Sequence, residues 1–239
     1  MEQKIQKRQI KILFEDEWVL ALDKPSLMPS HTLYSQVNEG QLTCESWLRL
    51  SRPKESFFLA HRLDTGTSGV LLFAKTEAIF NQLRELFKLK KIKKQYVAWS
   101  EITPERQSLV PTLSLPHPID WNLAHHPKSR KRMIAIPPDK RRSIRGKPMK
   151  AISIIHGVRE EDYLGIPALR FDLEIVTGVM HQIRVHMQEL GFALIGDGIY
   201  EKVVRQKTPR LALHARRIEF ELDGYRYGIE SEYQEDSSG

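Results

Sequence analysis

Apolar and β-branched residues fall in short runs along this chain: IKILF (Ile10–Phe14), WVLAL (Trp18–Leu22), GVLLFAK (Gly69–Lys75), QYVAWS (Gln95–Ser100), MIAI (Met133–Ile136), AISIIHGV (Ala151–Val158), ALRFDLEIV (Ala168–Val176) and LALHARRIEF (Leu211–Phe220). Runs of this length and composition predict β-strands. From Arg170 to Ile175 polar and apolar residues alternate, as on a sheet with one wet face, so much of the pairing is expected to be antiparallel. Helical patterns are fewer. Thr76 is placed to N-cap a helix through Lys88, with Glu77 at its positive end and Ile79, Leu83, Leu86 and Phe87 in one apolar stripe. A second helix is predicted from His181 to Leu190, ended by Gly191. Its Ile183, Met187 and Leu190 share a core face, and His181, Arg184 and Gln188 project from a neighbouring, exposed face that can line a cleft. The Pro-rich, basic segments 101–132 and 137–149 read as long loops. Together these patterns predict an α+β fold around a mixed, mainly antiparallel central sheet flanked by helices and loops. It is expected as a single domain over 1–228, with a flexible tail at 229–239.

Composition narrows the class. At 239 residues, 41% hydrophobic and 28% charged, the chain has the make-up of an ordinary folded protein with a substantial core. It contains no internal repeat and no Gly/Ser linker. The start, MEQKIQKRQI, lacks the apolar core of a signal peptide, and no run reaches bilayer-spanning length; a soluble, cytoplasmic protein is expected. The single cysteine, Cys44, has no partner for an internal disulfide or a thiolate cluster. His181 and His186, five apart, turn to different sides of a helix, and His125-His126 has no companion acid or Cys at ligand spacing, so no metal site is expected.

The net charge of +7 is unevenly placed. Between Lys128 and Lys150 there are ten Lys or Arg against one acid, Asp139, and a shorter basic run spans Lys88 to Tyr96. Clustered charge of this kind is the footprint of a phosphate-backbone partner, although a solvated loop kept soluble by like charge has the same composition.

The stretch LDTGTSG (Leu63–Gly69) admits two catalytic readings. Asp64-Thr65-Gly66 is the triplet of an aspartic peptidase, which needs two such carboxylates sharing a proton. The chain offers one, since Gly196-Asp197-Gly198 lacks the hydroxyl residue and reads as a turn. The alternative draws on several segments in order: FEDEWVLALDKPSLMPSH, with its D-K-P turn; His61-Arg62-Leu63-Asp64 through Thr67-Ser68-Gly69 to Ala74-Lys75; Lys94-Gln95-Tyr96; Thr177-Gly178 through His181-Gln182-Ile183-Arg184-Val185-His186; Gly196-Asp197 with Tyr200; and Leu213-His214-Ala215. In this order they resemble the motifs of the RluA-type pseudouridine synthases over residues 10 to 220.

The resemblance implies a pseudouridine synthase-like catalytic domain that isomerises uridine in structured tRNA or rRNA. The uracil N1 to ribose C1′ bond breaks, the base turns, and it rejoins through C5. Atoms and oxidation state are conserved, so no cofactor is expected. Asp64 is implied as nucleophile or stabiliser of the developing sugar cation, Arg184 as its bidentate partner, and Tyr96 as the ring against the uracil with a hydroxyl near C5. His61 and Arg62 are placed to contact the displaced stack or its phosphates once the base is flipped, although His61 suits a strand-end hydrogen bond equally well. Thr67, Ser68 and Gly69 are expected to shape the loop. Many relatives carry an accessory RNA-binding domain ahead of the catalytic one; from the position of Asp64 none is expected here. RNA contact then falls to Lys128, Arg130, Lys131, Arg132, Arg141 and Arg142, with His181 at the cleft. A monomer is the simplest expectation. Val179 and Met180 stand where the family has Arg and Thr, and on that departure rests the rival reading, a non-catalytic RNA-binding protein on the same fold.

Overall fold

The computed structural model describes residues 10–31, 42–201, 208 and 210–233. In chain order the elements are β1 (Lys11–Glu15), β2 (Val19–Lys24), α1 (Cys44–Ser51), β3 (Phe58–Leu59), β4 (Ser68–Ala74), α2 (Glu77–Lys88), β5 (Lys93–Glu101), α3 (Pro104–Leu109), a 3-10 turn (Val110–Thr112), β6 (His117–His125), β7 (Met133–Ile136), β8 (Arg145–Tyr163), β9 (Ile166–Ile175), α4 (Gln182–Glu189), β10 (Leu213–Leu222) and β11 (Tyr225–Glu230). The strands form one mixed sheet in the order β1-β2-β4-β10-β5-β9-β8-β6-β7, with β3 beside β4 and β11 beside β10. All of these pairings are antiparallel except that of β10 with β4. The α+β class and mainly antiparallel sheet are thus as the patterning predicts.

The runs WVLAL and GVLLFA are continuously apolar because β2 and β4 are covered on both faces. Leu20, Leu22, Leu71 and Phe73 join a core closed by Cys44 and Leu48 of α1 and by Ile183 and Met187 of α4. Alternate residues Val19, Ala21, Val70 and Leu72 face Ile79 and Leu83 of α2 and the β10–β11 hairpin. Strand β9 behaves differently: Phe171, Leu173 and Ile175 are buried while Asp172 and Glu174 keep contact with solvent, the one-sided burial that its alternation predicts. The Thr76 hydroxyl accepts from the Ile79 N–H at 3.3 Å and begins α2 where expected.

The two segments read as loops are in part ordered. Residues 101–132 contain α3 and β6, and β8 begins at Arg145, inside the second segment. Pro118 and Pro148 conceal these strands; both are exposed, and Pro118 stands where β6 pairs with β8 alone, opposite Ile154, so its missing N–H interrupts no second ladder. The chain also remains packed beyond position 229. Ile229 and Ser231 are buried, and Tyr233 packs 4.7 Å from Trp99, centroid to centroid; positions 234–239 of the expected tail lie outside the described residues. Among the described residues no helix is long and apolar enough to cross a membrane.

Candidate active site

Asp64 lies just ahead of β4, where β4, β10 and β5 run side by side: Gly69 is opposite Ala215, and Ala215 opposite Tyr96. Gly69 has φ +108°, and a Cβ there would lie 2.2 Å from the Ala215 carbonyl oxygen, so only glycine lets the two strands approach. Ser68 Oγ hydrogen-bonds His214 Nδ1 at 2.9 Å, and the Thr67 N–H donates to the Asp64 carbonyl at 3.0 Å. These residues shape the loop as expected.

The D-K-P segment holds the loop from the other side. Lys24, fully buried at the end of β2, donates from Nζ to the carbonyls of Pro25, Met28 and Thr65 at 2.9, 2.6 and 3.1 Å. Ser26 Oγ donates to the Gly66 carbonyl at 2.7 Å. Ser30 Oγ bonds both the carbonyl and the N–H of Leu63, at 3.0 and 3.1 Å. A buried ammonium is costly unless carbonyls or carboxylates surround it, so Lys24 ties Asp64's loop to β2.

Arg184 departs from expectation in two ways. It is buried, not on an exposed helix face, and its bidentate partner is not Asp64. Nε and one terminal nitrogen donate to the two oxygens of Asp197 at 2.7 and 2.8 Å, and the other terminal nitrogen reaches Asp64 Oδ2 at 3.1 Å. Asp197 Oδ1 also accepts from the Ile199 and Tyr200 N–H groups at 3.1 and 3.2 Å. The Gly196-Asp197-Gly198 stretch is therefore an anchor as well as a turn. It closes over α4 because Gly196, at φ +72°, lets the chain pass where a Cβ would meet the Arg210 carbonyl oxygen at 2.0 Å. Burial pulls the Arg184 pKa down, but hydrogen bonds and charge from Asp197, then from Asp64, more than offset this and raise it. The guanidinium stays charged, 5.2 Å from the Tyr200 ring centroid. Asp64 and Asp197 thus meet across a guanidinium rather than facing each other directly, the wrong arrangement for a peptidase dyad.

His181 is not in the helix but caps it in the left-handed region, φ 56°. Its Nδ1 is 2.9 Å from Tyr200 Oη and its Nε2 3.8 Å from Asp64 Oδ2. The Met133 N–H donates to the same Tyr200 oxygen at 2.8 Å, so the phenol is held between a strand backbone and the His181 ring. Burial, aided by Arg184, lowers the His181 pKa against the opposing pull of Asp64 and Asp197. Across the cleft Tyr96 is buried; burial first, then the charge of Asp64, raises its phenol pKa. Asp64, Tyr96, His181 and Arg184, with Arg62, Val179 and Met180, line a cleft of about 390 Å³.

The family model described as RNA pseudouridylate synthase matches residues 18–189, which include Asp64, Tyr96 and Arg184. The chain belongs to this family. Among the relatives of this pseudouridylate synthase family member is the dual-specificity RNA pseudouridine synthase RluA of Escherichia coli, 31% identical over 211 residues that make up 87% of this chain and 84% of that one. The ribosomal large subunit pseudouridine synthase C of Buchnera aphidicola is 33% identical over 87% of this chain. An RNA pseudouridine synthase of Helicobacter pylori is 28% identical over 89% of it. The chain spans 62% of the length of each of these last two relatives. In fold it is similar to human RNA pseudouridylate synthase domain containing 1, with a TM-score of 0.76 at 22% identity, over 98% of this chain and 86% of that one.

The remaining candidates separate. Arg62 is exposed at the cleft mouth. His61 instead accepts the Leu72 N–H at 3.2 Å, and burial pushes its pKa down to about 3. Its Nε2 thus makes the strand-end hydrogen bond that the sequence admitted. Lys128, Arg130 and Lys131 are exposed in the loop between β6 and β7, and Arg141 is exposed farther on. Arg132 turns inward, its guanidinium 5.6 Å from the Tyr200 centroid. Arg142 is held by Glu189 at 2.6 Å, so its charge is already paired. Among the described residues no group of three or more His, Cys, Asp or Glu side chains is placed to hold a metal ion. Asp197, Tyr200 and Lys24 are the members of the site that patterning does not single out, although each stands within one of the motifs.

Proposed function

We propose that this chain isomerises uridine to pseudouridine in structured RNA, a tRNA or a ribosomal RNA. The observation that carries the reading is Asp64 held at the cleft wall by Arg184, which Asp197 fixes from behind, with Tyr96 lining the same cleft. Asp64 attacks or stabilises C1′ as the glycosidic bond opens. Arg184 holds the carboxylate in place and aimed, and because its remaining nitrogens are committed to Asp197 it does so without reorganising. Tyr96 offers its ring to the freed uracil; its phenol, with a raised pKa, works as a neutral hydrogen-bonding group rather than as a phenolate. The names of the relatives, one for the ribosomal large subunit and one for dual specificity, support an RNA substrate of this kind. Positive charge at Lys128, Arg130, Lys131 and Arg141 supplies backbone affinity.

The test is site-resolved pseudouridine mapping of total RNA from cells with and without the gene, rescued by wild type and by Asp64→Ala. Loss of defined sites, restored by wild type alone, is the expected result. If purified protein also leaves transcribed uridine-containing RNA unmodified while still binding it, the non-catalytic reading prompted by Val179 and Met180 replaces this one.

A further inference from the structure

Beyond the reaction cleft the same wall opens into a larger groove of about 960 Å³. The two voids share Arg62, Tyr96, Ile175, Gly178 and Val179, so the groove leads away from the place where the target base would sit. One wall is a face of α2, on which Phe80, Arg84 and Phe87 succeed each other at helical spacing. Phe80 stacks on Phe58 at 5.8 Å between centroids, and Phe87 lies 5.5 Å from the His61 ring. Cations are set against these rings, Arg84 at 5.6 Å from the Phe80 centroid and Lys94 at 5.7 Å from that of Phe87. Lys88, Lys90 and Lys150 extend the positive rim, against one acid among the described residues, Glu45.

Lys94 has an unusual setting. Its ammonium donates to the Thr177 carbonyl at 3.0 Å and has no carboxylate partner among the described residues. Burial pushes its pKa down to about 8, a cost that an arriving anion relieves. A phosphate carrying an aromatic base matches both halves of this wall, the cation and the rings. Proteins that hold single strands combine these two elements, a basic groove and aromatic platforms on which bases stack.

We infer that the groove is a second nucleotide subsite, holding the nucleotide next to the target uridine with its phosphate at Lys94 and Arg62 and its base against Phe80 and Phe87. This rests on the reading that the target uridine occupies the cleft beside Asp64. The cleft, at about 390 Å³, is near the lower limit for a ligand site and the groove near the upper, so a strand with one base flipped continues into the groove. The subsite selects uridines whose neighbour is also unstacked, as in loops and bulges, over uridines within a duplex.

The test is calorimetric titration of uridine 5′-monophosphate and of the dinucleotide pUpU into the intact protein and into Arg84→Gln and Phe87→Leu. Arg84 is exposed, and leucine keeps apolar volume while removing the ring, so the two variants do not share a folding risk. Wild type should bind pUpU about tenfold more tightly than the mononucleotide, and both variants should lose that gain while binding the mononucleotide as wild type does. A gain that survives in both variants, or no gain in wild type, overturns the subsite. Pseudouridine mapping separates the two readings. Modification without a dinucleotide gain leaves the isomerase standing and removes the subsite; a variant-sensitive gain with no modification of any RNA does the reverse.

Discussion

The Arg184 side of the cleft and the loop between β6 and β7 are both rich in charge and are built on opposite principles. Around Arg184 the inner charges are enclosed and committed: Asp197 is 2% exposed, and its two oxygens accept from two nitrogens of the guanidinium and from two backbone N–H groups. In the loop, Lys128 and Lys131 stand in solvent. Buried charges are expensive to leave unpaired, so the first region has one geometry and holds it. Exposed lysines and arginines interact weakly with any one partner and are screened by salt, so the second can follow an irregular phosphate backbone. Under the proposed function, positional accuracy for the reaction and tolerance for the substrate fall to different parts of one sheet.

Substitutions that carry one region's logic into the other test this division. The largest effect is expected for Asp64→Asn, which should lower single-turnover pseudouridine formation by about 10⁴-fold or more while RNA affinity, measured by filter binding, changes little; retained turnover would remove Asp64 from the mechanism. Arg184→Lys should follow with a loss of about a hundredfold, because a point charge cannot serve Asp197 with two nitrogens and Asp64 with a third. Asp197→Ala leaves Arg184 without its inner partner and should cost about 3–5 kcal/mol in urea unfolding; a loss below about 1 kcal/mol would show that the guanidinium is held by other means. Replacing Lys128, Arg130 and Lys131 together by Gln should act on KM rather than kcat, and the slope of log affinity against log salt should fall by about 0.7–0.9 for each phosphate that is no longer neutralised. The smallest effect is expected for Arg142→Gln. Its charge is already paired with Glu189 across a partly exposed contact, so RNA affinity should stay within about twofold and stability within about 1 kcal/mol.

Legibility in the sequence follows how local each feature is. The Thr76 cap and the apolar stripe of α2 depend on neighbours within a few positions and are readable. So is the doubly buried β2, whose unbroken apolar run reflects cover on both faces. Strand β6 escapes such a reading because Pro118 and polar residues disguise it, and its pairing with β8, from His117 opposite Ile155 to His125 opposite Arg145, is a long-range choice. The same holds at the site. Asp64 and Arg184 stand out by motif, yet the exposed position that helix periodicity implies for Arg184 is wrong, since that periodicity says nothing of a later segment folding over the helix.

What the sequence determined by itself was the set of strands and helices with strong local patterns, the membership of Asp64, Tyr96 and Arg184 in one set of motifs, and the uneven placing of positive charge. What only the tertiary structure decided was the partnership of charges: that Asp197 takes the guanidinium's fork, that Lys24 holds the loop of Asp64, that Arg142 meets a carboxylate and that Lys94 meets a carbonyl. Local periodicity fixes which way a side chain leaves its own backbone. The energy of a charge depends on the groups and solvent around it, and those are supplied by segments distant in the chain.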